Sequence, residues 1–545
     1  MHFQRITKHI WIRLALALFV ICINTGLAGC GAPQAYRNFR NDVYARMTQA
    51  SLPPSPTPLN TPTRLPIPTK VIPPTPALSS SGQLASAPMA DLASGGENIT
   101  IYHSQAGDTL LSVAARFDVG PEEIKSPDRL HSPGLLDPGQ ELHIPGRLAE
   151  LPYAQPILPD SEVIYSSSAD DFDTAAFVQQ ADGYLAHSLQ YTTSGMTDGA
   201  GIVERVAQET SFNPRLLLAI LEFHCGCVLE QPDEPPNELY PLGFEFRQGL
   251  YHQLVWVADQ LSTGYYGWRA GTLTQIPLPG GDTIRPDPSL NAGTVALLYY
   301  FGQYGIILAE DRQTWEGYID GKTGFPDLYM KMFGKPWARA ARAEPLFPPA
   351  LTQPDLQLPF LTGTIWSYTG GPHFAWEKTG PLTAIDFAPQ SAKSGCNPSD
   401  EWVAASAAGL VVRAERHVIA LDLDGDGSEQ TGWVLVYFHV LSEGTVELGS
   451  QVKAGDMLGH PTCEEEASLS TGTHVHLARK YNGEWMPARD SVKFILDGWV
   501  VHAGGQAYEG TLTKEGQTAV ANPFGPATSW VTRPDDIKRL PSLDS

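Results

Sequence analysis

The spacing of apolar positions divides the chain into stretches of different character. Leu14 to Ile23 is a short apolar run behind Arg5, Lys8 and Arg13. Residues 30 to about 97 carry no periodic apolar pattern, and ten prolines from Pro53 to Pro76 crowd one part of them. Proline fixes φ and removes an amide donor, so this part predicts an extended spacer rising roughly 3 Å per residue. The Ser/Ala/Gly stretch from Ser79 to Gly96 predicts a looser chain. Alternation over Ile99–Ser104 then predicts a strand, and Leu111, Val113, Ala114 and Phe117 form a helical apolar set that Asp108 or Thr109 is placed to cap. Ile124 predicts the start of a second short helix, Pro138-Gly139 a turn, and Leu142 with Ile144 a closing strand.

From about 148 to 350 the pattern is helical. Leu216 to Leu221 is almost wholly apolar and predicts a central helix, with Asn213 as cap and Pro214 in its first turn. Asn291 to Phe301 reads as another buried helix. Beyond about 351, strand-length runs such as Gly409–Val412, Val418–Leu421 and Trp433–Phe438 are separated by Gly, Asp and Asn, which predicts a mainly antiparallel β domain. The expected architecture is multidomain: a leader over 1–29, a tether over 30–97, a small β-α-α-β module over 98–147, an all-α domain over 148–350 and the β domain with its tail over 351–545.

Charge excludes one class of partner. The formal net charge is −23, whereas nucleic acid demands a basic surface, so no nucleic acid is expected. The apolar leader is short for a membrane span and ends in small residues, which reads as a secretory signal. Leu27-Ala28-Gly29-Cys30 resembles the lipobox of bacterial lipoproteins. The resemblance implies cleavage before Cys30 and a lipid on its sulfur, so that the protein is held to the membrane; an uncleaved span is the alternative. In either case the rest of the chain lies outside the cytoplasm, where disulfides are the default. Cys396 and Cys463 flank the region with the candidate chemistry and are the expected pair. Cys225 and Cys227, if they share a helix, point to different faces and are poorly placed to bridge each other.

Residues 99–145 resemble the LysM glycan-binding module through Gly107-Asp108-Thr109-Leu110, Val113-Ala114, Phe117 and Gly139–Pro145, with Ser126-Pro127-Asp128 departing where an Asn usually stands. That implies binding to the glycan strands of peptidoglycan. The helical region is similar to the lysozyme-like lytic transglycosylase fold, in which an acid follows the apolar helix; Glu222 occupies that place. Phe223-His224-Cys225 follows it instead of the usual Ser, and no second carboxylate can be assigned. A glycan-cleaving site through Glu222 and a degenerate domain both stay open.

The β domain holds the most specific signal. In a strand, His474 and His476 point to one face. His439 ends the Trp433–Phe438 run, and Asp386 sits inside the apolar run Ala384–Ala388, where a carboxylate is costly unless it is paired or bound to metal. His373, in Gly370-Gly371-Pro372-His373, is expected in a loop. Two imidazoles and one carboxylate suffice for a zinc site with a coordination position left open. From about Leu358 to Phe524 the sequence resembles the lysostaphin-type zinc endopeptidases that cleave peptidoglycan peptides, through Asp386, Tyr437-Phe438-His439 and His474-Val475-His476. The commonest pattern has a His four residues before the Asp, and Leu382 stands there. The β-lytic and staphylolytic subgroup places it thirteen residues before, which is His373. The resemblance implies Zn2+ on His373, Asp386 and His476, with His439 and His474 as catalytic histidines acting on stem peptides or cross-bridges. The alternative is a non-catalytic wall-binding scaffold or hydrolase activator. Asp422 to Gly427 begins like a calcium loop, but Trp433 holds the twelfth position where a Glu is needed, so a hairpin turn is expected. His460 and His502 are expected to be structural.

Overall fold

The computed structural model describes residues 98–533 except 131, 149–152, 377–378, 391–394, 398, 465–468 and 490. The leader, Cys30 and the tether lie outside the described residues.

Strands β1 (Ile99–His103) and β2 (Glu141–Pro145) pair antiparallel. Between them, α1 (Leu110–Phe117) is capped by Thr109, whose hydroxyl accepts from the Ser112 amide. Asp108 does not cap the helix. It takes a hydrogen bond from the Tyr102 hydroxyl at 2.6 Å and pairs with the buried Arg116 guanidinium. The second helical element is a single 3-10 turn over Pro121–Glu123, and Ile124 ends it rather than starting it. Proline opens that turn, and the extended backbone of Ile124 closes it before a second α-turn can form.

The helical region comprises α2 (Asp160–Val163), α3 (Thr174–Ala181), the hairpin β3 (Leu189–Thr192) and β4 (Gly195–Asp198), then α4 (Gly199–Thr210), α5 (Pro214–Cys225), α6 (Leu250–Ala270), α7 (Ala292–Ile307), α8 (Arg312–Tyr318), α9 (Phe325–Phe333) and α10 (Pro336–Ala343). The Asn213 side chain caps α5 by accepting from the Arg215 amide. Every residue from Leu216 to Leu221 is fully buried, which makes α5 the centre of this layer.

The sheet domain is built on ten strands: β5 (Ile365–Phe374), β6 (Leu382–Pro389), β7 (Gly409–Glu415), β8 (Val418–Asp422), β9 (Trp433–Phe438), β10 (Gln451–Val452), β11 (Thr462–Glu464), β12 (Leu469–Tyr481), β13 (Glu484–Trp485) and, at the end of the chain, a strand over Trp530–Thr532. The spatial order is β10-β7-β8-β9-β12-β6-β5 and then Trp530–Thr532, with β11 and β13 pairing onto β12. Between β13 and the last strand, a separate four-stranded sheet spans Ile495 to Val520.

Both faces of the large sheet are covered. Along β9, Leu435 and Tyr437 pack with Leu496, Trp499 and Leu512 of the smaller sheet, while Val434, Val436 and Phe438 belong to the same core as the helices. Side chains alternate across a strand, so a run buried on both sides must be apolar throughout, as Trp433–Phe438 is. The turn over Asp422–Gly427 is a hairpin whose Asp422 carboxylate accepts from the amides of Asp424, Gly425 and Gly427.

A buried charged group ties the layers. Arg269 on α6 reaches Asp160 at 3.0 Å and Glu484 on β13 at 3.1 Å, and the Tyr265 hydroxyl donates to Glu484 at 2.9 Å. The small module docks at the same end of α6: Arg116 lies over the Trp268 ring, and Arg285 donates to the carbonyls of Ala115 and Arg116. One guanidinium serves two carboxylates. Burial, opposed by Arg269 and assisted by Asp160, pushes the Glu484 carboxyl from 4.5 up to about 7. The folded protein therefore holds this proton over a pH range in which the unfolded chain has lost it. The stability so gained is complete below about pH 4.5 and is lost as pH rises through about 7, by roughly 3 kcal/mol. Glu484→Gln is neutral at every pH, so its urea midpoint relative to the parent protein will rise between pH 5 and pH 8; a pH-independent difference refutes the assignment.

Candidate metal centre

Four neighbouring strands place the site. His476 on β12 lies opposite Asp386 on β6 and, on its other side, opposite Phe438 on β9. Asp386 in turn faces Gly370 on β5. His373 belongs to β5 and not to a loop as expected. The Gly-Gly-Pro run does not interrupt the strand. It shifts the register at Gly370 and again before His373, and this bulging re-aims the chain. A Cβ on Gly370 would stand 2.2 Å from the Asp386 carboxylate, and one on Gly371 would stand 2.4 Å from the Glu509 backbone. Only glycine leaves room for both.

The three side chains converge. His373 Nε2 is 3.0 Å from His476 Nδ1 and 3.3 Å from Asp386 Oδ1, and His476 Nδ1 is 3.4 Å from the same oxygen. Ligand atoms at about 2.0–2.1 Å from a tetrahedral ion stand roughly 3.3 Å apart, so this triangle has the dimensions of one face of such a site. All three residues are buried. Asp386 Oδ1 has no hydrogen-bond donor, as expected of an atom that faces a cation. His373 Nδ1 lies 2.8 Å from the Gly371 carbonyl, a bond that places the proton there and leaves the Nε2 lone pair for the site.

Electrostatics separate the histidines. Burial works against charge on His373, but the Asp386 carboxylate outweighs it and raises the imidazole. Burial would raise the Asp386 carboxyl too, yet His373 and His474 hold it well below the usual range. Burial lowers His476 to about 4. His439, in a left-handed turn just past β9, is lowered well below the ordinary value by burial and then by His474 and His476. Its ring lies 4.5 Å from that of His474. His474 Nδ1 is bonded to the Gly472 carbonyl at 2.8 Å, and its Nε2 stands 3.6 Å from Asp386 Oδ1. The five residues read from the sequence thus share one site.

Tyr508 was not among the residues expected there. It lies in the loop between Trp499–Ala503 and Gly510–Lys514, and its ring stacks on His373 at 4.1 Å. Tyr508 also trades backbone hydrogen bonds with Gly371 and Pro372. Trp376 packs on Phe438 at 5.7 Å, and Phe438 on His476 at 4.8 Å. A disulfide joins Cys396 to Cys463, tying the segment after β6 to β11, which pairs with His474 through Thr462. His460 and His502 lie apart, bonded to the Glu401 carbonyl and the Thr513 hydroxyl.

The cysteines at the end of α5 correct the expectation drawn from helical spacing. Cys225 and Cys227 bridge each other, with Cα atoms 5.1 Å apart. The helix stops at Cys225, and Gly226, at φ +57°, reverses the chain, so the two residues do not share a helix. Glu222 braces this turn: its carboxylate accepts from the amides of Val228 at 2.8 Å and Leu229 at 3.0 Å.

Fold and site together define a protein with a small glycan-module-like unit, a helical layer and an antiparallel sheet that carries a buried candidate metal centre of two histidines and one aspartate. Known proteins bear on each part. Residues 102–145 match the model of the LysM domain, and residues 156–347 match that of the LasA N-terminal domain. The match over the helical region is to the LasA N-terminal domain. No curated protein matches the chain. Among solved structures, the M23 metalloprotease pseudoalterin from the deep sea is 23% identical with a TM-score of 0.26, over 31% of this chain and 96% of that one. The catalytic domain of lysostaphin from Staphylococcus simulans is 25% identical with a TM-score of 0.17, over 23% and 87%. A zinc-containing peptidase from Vibrio cholerae is 17% identical with a TM-score of 0.19, over 26% and 41%.

If Glu222 braces a turn, Glu222→Ala will lower unfolding stability by about 1–3 kcal/mol through two unsatisfied amides, and glycan chains will be cut by neither form. Reducing-end release by the parent protein that Glu222→Ala abolishes would reinstate the glycan-cleaving reading.

Proposed function

We propose that this protein is a zinc metalloendopeptidase of the cell envelope that hydrolyses peptide bonds in peptidoglycan stem peptides or cross-bridges. The observation that carries the reading is the buried triangle of His373 Nε2, Asp386 Oδ1 and His476 Nδ1 with edges of 3.0 to 3.4 Å. Two nitrogens and one carboxylate oxygen at tetrahedral spacing suit zinc and leave a fourth position open. Zinc bound there supplies a Lewis acid that polarises a carbonyl and acidifies water.

The chain's own residues do the rest. His474 keeps its Nδ1 on the Gly472 carbonyl, so Nε2 is the atom that faces the cleft and moves a proton. His439, kept neutral by burial beside two other imidazoles, is a base of the same kind next to it, its ring 4.5 Å from that of His474. Tyr508 and the Gly371 carbonyl fix the His373 ring from its face and its edge. The match to the LysM domain supports peptidoglycan as the substrate, because such a module holds glycan while the sheet domain acts on the attached peptides. The resemblance of Leu27-Ala28-Gly29-Cys30 to a lipobox supports a site of action outside the cytoplasm, at a membrane surface.

Purified, zinc-loaded protein will release new amino termini from isolated cell wall, and a chelator will stop it. His476→Ala will lower the rate at least about 100-fold, since even partners behind a ligand are worth 10–100-fold, while wall binding persists. Wall binding by zinc-loaded protein with no new amino termini would make it a scaffold or hydrolase activator instead.

A further inference from the structure

Backbone groups fix the His439 ring. The residue follows β9 at φ +58°, and its carbonyl accepts from the Thr462 amide on β11 at 2.8 Å. Its Nδ1 lies 3.3 Å from the Glu464 carbonyl. That contact places the ring proton on Nδ1 and leaves the Nε2 lone pair as the base. Two segments therefore set the ring: the chain that continues through Val440, and the end of β11 at Glu464.

One further side chain touches both segments. β7 and β8 are joined by Arg416 and His417, a two-residue turn closed by the Glu415–Val418 pair. Both residues are left-handed, at φ +51° and +61°. This is the type I′ geometry that Asn-Gly fills without strain. Arg416 and His417 bear the strain, and each makes contacts that a glycine could not. The Arg416 guanidinium lies 3.7 Å from the buried Glu209 on α4 and donates to the Gln208 side chain at 3.4 Å. The His417 ring spans the two segments beside His439. Its Nδ1 is 3.3 Å from the Val440 carbonyl, with the Ser442 hydroxyl at 3.5 Å, and its Nε2 is 3.6 Å from the Glu464 carboxylate. The His417 carbonyl also accepts from the Val440 amide at 3.1 Å. The amide and the carbonyl of Val440 thus both end on His417, and the same ring faces the residue whose carbonyl orients His439.

We infer that His417 is a positioning residue for His439. Its ring braces Val440 and Glu464, and through them it keeps the His439 proton on Nδ1 and the direction of Nε2 fixed. The kinetic consequence rests on the peptidase reading above; the tautomer of His439 is measurable without it. A reacting group misplaced by roughly 1 Å costs about 100-fold in rate, so a loosened His439 ring lowers kcat, while the groups that bind the peptide stay in place.

The test uses the full chain loaded with zinc and a cross-linked stem-peptide dimer. His417→Gly removes the ring at a backbone angle that glycine adopts freely, so strain does not impair folding. It is expected to lower kcat about tenfold with KM little changed. His417→Asn will restore part of the rate, because its amide nitrogen stands where Nδ1 stood and Asn tolerates the left-handed angle. Equal kcat for the parent protein and His417→Gly, a loss carried by KM, or a His417→Asn variant no faster than His417→Gly overturns the assignment. Nitrogen-15 NMR of histidine-labelled protein gives a second reading, with the His439 signals identified by their loss in His439→Gln. The parent protein will show a His439 ring protonated at Nδ1 alone, and His417→Gly a mixture of the two tautomers. If the parent protein cuts no wall peptide, the peptidase reading is what fails. The spectrum then decides the positioning role by itself: a mixture in His417→Gly supports it, and an unchanged ring overturns it.

Discussion

Keeping the Asp386 carboxylate ionised inside a sheet is the constraint around which the sheet domain of this molecule is organised. A lone buried carboxylate costs several kcal/mol and would take up a proton instead. Here the charge is held because His373, His476 and His474 all approach the same oxygen, at 3.3, 3.4 and 3.6 Å. Three imidazoles cannot each be charged so close together, so one cation has to satisfy the whole group. A proton shared from His373 can do so, and so can a divalent ion. Glycine at position 370 serves the same end: any Cβ there would stand in the space that the carboxylate needs.

The sheet that bears these residues is covered on both faces, and the face that carries the candidate metal centre is the one that meets the helices. Ala384 on β6 and Ala478 on β12 belong to the same apolar core as Leu217 and Leu297. The helical layer is thus not an appendage linked by a tether. It shares a core with the strands that hold the candidate ligands, and it meets the turn between two of them through Thr379 and Gly380. The Arg269–Asp160–Glu484 group adds direction to that contact, because a buried charge group accepts one geometry where apolar surfaces would tolerate several.

Much of this was legible in the sequence, for physical reasons. A strand-length apolar run exposed β9, and the two-residue spacing of His474 and His476 placed both on one face. Asn213-Pro214 announced the start of α5. What stayed hidden depends on long-range contact or on a single dihedral. A Gly-Gly-Pro run reads as a loop because bulge and loop use the same residues, and only pairing with β6 distinguishes them. Gly226 in a left-handed conformation turns two cysteines, unsuited to each other on a helix, into a bridged pair. Tyr508 is an ordinary loop tyrosine until the fold brings it against His373 from more than a hundred positions away. Arg269 and Glu484 carry no local sign that they are buried together, since charged residues in sequence read as surface.

The histidines show how one residue type is given different work by its surroundings. His373 faces the carboxylate and is pinned by a carbonyl behind it, so positive charge at its Nε2 is favoured. His439 is equally buried, but its nearest titratable neighbours are two other imidazoles, and each disfavours charge on the rest. Charge favoured on His373 and disfavoured on His439 both follow from where a single aspartate stands. A second aspartate near His439 would remove that polarity, as would a polar opening that let water reach its ring. The packing of Phe438 and Trp376 along this edge therefore has an electrostatic consequence as well as a steric one, because it keeps water from one side of the His476 ring and so keeps the uncharged imidazole the stable form.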